Sequence, residues 1–236
     1  MDTNKKIATI VGMLYIIGTL SGVLSVVFTK PILDASDYLV KTAANSNQII
    51  TGALSVLIMG LALALVPVVI FPVLKKHNEV LALGYLVFRG ALEAVTFIAA
   101  AISLILLVSL SQAAVQSGAS DASSFQALGA LILKSHEISS TITEIIFPLG
   151  ALMFYTVLYQ SKLIPRWISS WGFIAVILWL ATSFLHLFGL VSQMSTIQGV
   201  LALPIALQEM VMAVWLIAKG FNPSAIVFES AKASVN

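Results

Sequence analysis

Six apolar stretches dominate this chain, each close to or longer than the roughly 20 residues a helix needs to cross a hydrocarbon core of about 30 Å. They run over residues 7–28, 49–74, 80–111, 125–159, 171–191 and 200–218. In hydrocarbon no water satisfies backbone N–H and C=O groups, so each stretch must bond internally as a helix. The expected fold is all-α: an integral membrane bundle of six transmembrane helices, forming a single polytopic domain over residues 1–219 with a cytoplasmic tail over 220–236. Hydrophobic residues make up 59% and charged residues 9%, against about 25% charged in soluble domains.

Composition also excludes function classes. A net charge of +2, with no basic cluster interleaved with aromatics, gives nucleic acid no surface. The absence of cysteine removes disulfides, iron–sulfur clusters, thiolate metal sites and cysteine nucleophiles. Lys5 and Lys6 precede an apolar run longer than the core of a signal peptide, so a retained first span is expected. No phosphate-binding loop, dinucleotide fingerprint or G-x-S-x-G occurs, and His136-Glu137 continues as Ile138-Ser139-Ser140 rather than as a zinc-protease motif. No cofactor is expected.

The connections are read from polarity and breakers. Gly18 and Gly22 in span one stand at a spacing that lets another helix backbone approach, most simply inside the monomer. Residues 29–48 read as a solvated loop, in which Ser36 could cap a short helix through Asn45 with Leu39, Val40 and Ala43 on its apolar side. Pro67 and Pro72 kink the end of span two. The turn 75–79 and the Ser-, Gly- and Ala-rich segment 112–124 read as loops, the latter flexible. The turn 160–170 carries Lys162, Pro165, Arg166 and Trp167, a basic turn with an aromatic at headgroup level. A polar turn over 192–198 and a loosely ordered tail from Lys219 complete the chain.

Basic residues orient the bundle. Lys5, Lys6, Lys75, Lys76, Lys162, Arg166, Lys219 and Lys232 fall on the side of the two termini, and Lys30 and Lys41 on the other. By the positive-inside bias both termini face the cytoplasm, and an even number of crossings agrees.

The anomaly is a set of ionisable residues inside the spans. Arg89 and Glu93 stand four apart, on one helix face. Counted from the span ends at about 1.5 Å per residue, Arg89, Glu93, Glu144, His186 and Glu209 all fall near mid-membrane. At about 2.5–3.5 kcal/mol for each charged group at a span centre, scattering them into lipid is costly, so they are expected to converge in the interior. Glu137, Ser140, Thr141, Glu144 and Pro148 form a stripe on span four with His136 beside it, and Gln208 adjoins Glu209. Three carboxyls against one arginine exceed simple pairing and suit proton relay, cation binding or recognition of a polar solute. Arg89 would serve as counter-ion or anion ligand, Glu93, Glu144 and Glu209 would exchange protons or cations, and His186 would relay. The alternatives are an intramembrane metal-dependent enzyme using Glu93, Glu144 and His186 or His136, and a scaffold whose network only fixes helix register.

Several runs carry a resemblance. Lys5-Lys6 through Val11-Gly12, Gly22-Val23-Leu24-Ser25, FRGALE at 88–93, LYQSKLIPRW at 158–167 and LQEMVMAVWLIAKGFN at 207–222 resemble the bacterial domain-of-unknown-function family numbered four-three-eight-six. The resemblance implies a small multi-pass protein of a bacterial inner (plasma) membrane and brings no activity or residue role to transfer. The partners expected are membrane lipids and a small-molecule ligand.

Overall fold

The structure, a computed structural model, describes residues 3–191 and 196–226. Eight α-helices account for most of them: α1 Thr3–Leu33, α2 Tyr38–Ala44, α3 Ser46–Leu74, α4 Glu79–Tyr85, α5 Glu93–Ser117, α6 Ala122–Ser161, α7 Arg166–Leu187 and α8 Thr196–Ala218. A π-helical segment, Leu86–Leu92, joins α4 to α5, and no strand occurs among the described residues. Among the described residues six helices are long and apolar enough to cross a membrane, α4 and α5 counting as one through the π segment. Their outer faces carry large side chains that would be costly in water, such as Leu61 and Val95, each 62% exposed.

Helix ends depart from the expectation where local bonding overrides polarity. Residues 112–124 are not a flexible loop: α5 continues through the good helix formers Ala113 and Ala114 and stops only at Gly118, whose φ of +69° ends the helix. A 3-10 turn, Gly118–Asp121, then leads into α6. Residues 29–48 are not a solvated loop either. α1 carries on through Pro31 to Leu33, and α2 buries Leu39 and Thr42 while Val40 points outward. The residue preceding α2 is Asp37, not Ser36, and its side chain pairs with Lys41 at 3.1 Å instead of capping the helix. That bond holds the Asp37 carboxyl below the ordinary carboxylate range. α7 starts at Arg166, because Pro165 with its fixed φ stands where a helix can begin. The expected polar turn over 192–198 lies partly outside the described residues.

The chain forms two compact units, each drawing on several helices. One contains residues 18–61 and 95–143, from α1, α2, α3, α5 and α6. Its core is Ile32, Ile49, Ala53, Val56, Ala100, Ala101, Leu104 and Val108. Within it Gly22 faces Met59 of α3, so the small residue serves packing inside the monomer. The other unit contains residues 1–17, 62–94 and 144–236. There Tyr85 stacks on Phe154 at 4.5 Å and Gly12 lies against the Ala213 carbonyl of α8. Lys5 donates to the carbonyls of Ile217 and Ala218 at 2.8 and 2.9 Å, satisfying the acceptors that the end of α8 leaves open. The chain after Lys219 is not loose at its start: Phe221 is buried and the Asn222 N–H donates to the Leu163 carbonyl at 2.8 Å. Residues 227–236 of the expected tail lie outside the described residues.

Candidate functional site: an arginine shared by two carboxylates

The site is built on the helix that begins at Asn78. The Asn78 side chain accepts from the Leu81 N–H at 3.0 Å and starts α4. Seven residues later the helix widens into the π segment, in which the Glu93 N–H reaches back to the Phe88 carbonyl. Such single π turns are costly and cluster at functional positions. Arg89 lies in its middle. Two glycines keep neighbouring helices tight against it: a Cβ on Gly150 of α6 would lie 3.2 Å from the Arg89 backbone nitrogen, and one on Gly90 would lie 3.2 Å from Pro67 of α3.

Arg89 Nη1 donates to both oxygens of Glu93, at 2.7 and 3.0 Å, and Nη2 donates to Glu209 Oε1 of α8 at 3.2 Å. The guanidinium also sits over the Phe147 ring of α6, 4.6 Å from its centre. Arg89 and Glu93 are 3% and 2% exposed, whereas the Glu209 side chain keeps 14% of its surface. Beside Glu209, Gln208 is fully buried, donating to the Ile168 carbonyl at 3.0 Å and accepting from the Tyr155 hydroxyl at 2.6 Å. The hydroxyls of Tyr15 and Tyr85 meet at 3.1 Å in the same unit.

Glu144 pairs elsewhere, with His186, where a proline in α6 leaves a carbonyl open to α7. Pro148 has no N–H, so the Glu144 carbonyl loses its helical donor four residues on. Two groups from α7 replace it: Trp179 Nε1 donates at 3.3 Å and Ser183 Oγ at 3.0 Å. His186 follows Ser183 by three residues on the same face of α7, and its Nδ1 stands 3.0 Å from Glu144 Oε2. Phe147 lies between the two groups, under Arg89 on one side and edge-on to Trp179 at 5.8 Å on the other.

A family profile described as Domain of unknown function (DUF4386) matches residues 10–220, nearly the whole chain. The chain belongs to this family. No curated protein and no solved structure matches it.

In this DUF4386 protein the remaining sequence candidates lie in the other unit. His136 Nδ1 meets the Ala100 carbonyl at 3.1 Å, and Ser140 donates to the His136 carbonyl at 3.1 Å. Glu137 is partly exposed and pairs with Lys134 at 2.7 Å. Among the described residues no three His, Asp or Glu side chains come together as metal ligands, so Glu93, Glu144 and His186 or His136 do not form the metal set one reading required. Sequence reasoning passed over Phe147, Tyr155 and the π segment. Aromatics in an apolar span carry no linear mark of function, and Pro148 was read only as a member of the span-four stripe.

Proposed function

We propose that this multi-pass DUF4386 protein binds a small solute and exchanges protons at the Arg89–Glu93–Glu209 cluster. One observation carries the reading: Arg89 and Glu93 alone would be neutral, yet Glu209 places a second carboxylate on the same guanidinium. A buried excess negative charge is unfavourable unless a proton, a cation or a polar solute completes it. Glu209, the most exposed of the three, is the exchanging group; Arg89 is the counter-ion, and once Glu209 is protonated a solute anion can take the place of its carboxylate on the guanidinium. Glu144 and His186, a proton acceptor and carrier in hydrogen-bond contact, form the relay. The basic-residue bias supports placing both termini on the cytoplasmic side, and the membrane we propose is a bacterial inner membrane.

The test is infrared difference spectroscopy of protein in lipid bilayers between acid and alkaline buffer. A carboxyl C=O band that disappears on raising pH in the parent and is missing in Glu209→Gln, but kept in Glu137→Gln, supports the reading. A spectrum unchanged by Glu209→Gln overturns it.

A second reading, that the network only fixes helix register, is favoured by how fully Arg89 is satisfied, with three hydrogen bonds and a covered π face. It leaves the charge of the second carboxylate, Glu209, unbalanced.

A further inference from the structure

Away from the buried cluster, the turn between α6 and α7 and the end of α8 enclose a cleft of about 670 Å³. Lys162, Arg166 and Lys219 line it together with Trp215 and Phe221, and no acidic side chain is among the described residues that do. The walls are fixed by bonds across the turn: Asn222 donates from its backbone to the Leu163 carbonyl at 2.8 Å and from its side chain to the Lys162 carbonyl at 3.3 Å. Lys162 has φ +56°, a left-handed conformation that a helix end usually gives to glycine. Here the position keeps a cationic side chain at the rim of the cleft. Arg166 rests on the Tyr159 ring at 4.9 Å, an arrangement that leaves its N–H edge available to an anion. The last carbonyls of α8 already have Lys5, so neutralising them does not fall to Lys219.

A second hollow of about 410 Å³ adjoins the first, sharing Trp215 and Lys219. Its other walls are Met210, Val211, Val214 and Ala218, one apolar face of α8 at helical spacing. A cationic cleft that opens into an apolar groove matches a molecule with an anionic head and a hydrocarbon tail. Trp167, exposed and stacked near Trp171 at 6.4 Å, places this turn at headgroup depth.

We propose that this cleft binds an anionic glycerophospholipid, its phosphate among Lys162, Arg166 and Lys219 and an acyl chain along the Met210-to-Ala218 face of α8. Basic pockets between spans recognise lipid headgroups in this way, and free phosphate would fill the cleft but not the groove. A lipid would bind in this cleft whether or not the Arg89 cluster exchanges protons.

The experiment uses the full-length protein in non-ionic detergent, following thermal unfolding while phosphatidylglycerol, phosphatidylcholine or inorganic phosphate is titrated. Expected is a saturable rise in Tm with phosphatidylglycerol, little with phosphatidylcholine, and no displacement of the former lipid by inorganic phosphate. Combining Lys162→Gln, Arg166→Gln and Lys219→Gln should weaken phosphatidylglycerol by at least about tenfold. Lys75→Gln with Lys76→Gln, on a different turn, should leave it unchanged, and Val214→Trp should weaken it by filling the groove. Should the triple variant not fold, Arg166→Gln and Lys219→Gln taken singly give the same readout. Equal response to both lipids, undiminished binding by the triple variant, or full displacement by inorganic phosphate would each overturn the assignment.

Discussion

Replacing Arg89 by Met removes the cation that two buried carboxylates share while keeping the bulk of the side chain. Glu93 at 2% exposure cannot turn to solvent, and Glu209 at 14% can do so only partly. Removing one partner of such a pair costs about 3–5 kcal/mol, because the remaining charge stays desolvated. Glu93→Gln should cost less, since a neutral acceptor stays in place, and Glu209→Gln least, within about 1 kcal/mol of the parent, because it removes the charge in excess and keeps an acceptor for Arg89. Equilibrium unfolding in mixed micelles, with denaturing detergent as the variable, measures each. The informative comparison is the combined Arg89→Met, Glu93→Leu and Glu209→Leu variant. With no charge left unpaired it should recover to within about 1 kcal/mol of the parent or exceed it. It should also lose the pH-dependent carboxyl band, which separates a site from a scaffold. If Arg89→Met lies within about 1 kcal/mol of the parent, water reaches the carboxylates and the burial argument is refuted.

Other outcomes follow from single contacts. A Cβ on Gly172 would overlap the ring of the fully buried Tyr155, so Gly172→Ala should displace the Tyr155–Gln208 bond and cost about 2–4 kcal/mol by the same unfolding assay. Pro148→Ala should restore a donor for the Glu144 carbonyl within α6 and loosen α7, raising hydrogen exchange around Trp179 and Ser183. Asn78→Ala should destabilise the start of α4 by about 1 kcal/mol. For the Asp37–Lys41 pair the folded carboxyl titrates below its unfolded value, so its contribution is present above the unfolded pKa and fades as pH falls through the folded one. An NMR titration of Asp37 should move toward the ordinary carboxylate range in Lys41→Gln.

The spans were legible because lipid imposes one demand, an unbroken apolar run of membrane length, and this chain meets it six times. Their ends were less so. The stop of α5 depends on one left-handed residue, Gly118, and polarity alone placed it several residues early. Arg89 and Glu93 stood out as charges at helical spacing in an apolar run, and depth counting set Glu209 and Glu144 at a similar level. Depth does not give direction around the helix axis, so nothing linear told that Glu209 turns to Arg89 while Glu144 turns to His186. The π segment was illegible in the sequence, where close neighbours on other helices, Gly150 and Pro67, do not show. Lys162 and Arg166 were read as a basic turn at headgroup level and Lys219 as part of the charge bias, but not as the walls of one cleft around which the fold gathers them.

In lipid bilayers, rotational-echo double-resonance NMR on protein carrying ¹⁵N-guanidino arginine and ¹³C-carboxyl glutamate reads the geometry of the Arg89 cluster directly. Dipolar coupling from the Arg89 guanidinium to two carboxyl carbons, falling to one in Glu209→Gln, is the expected result. Coupling of Arg89 to lipid phosphorus in place of those carbons would contradict the account.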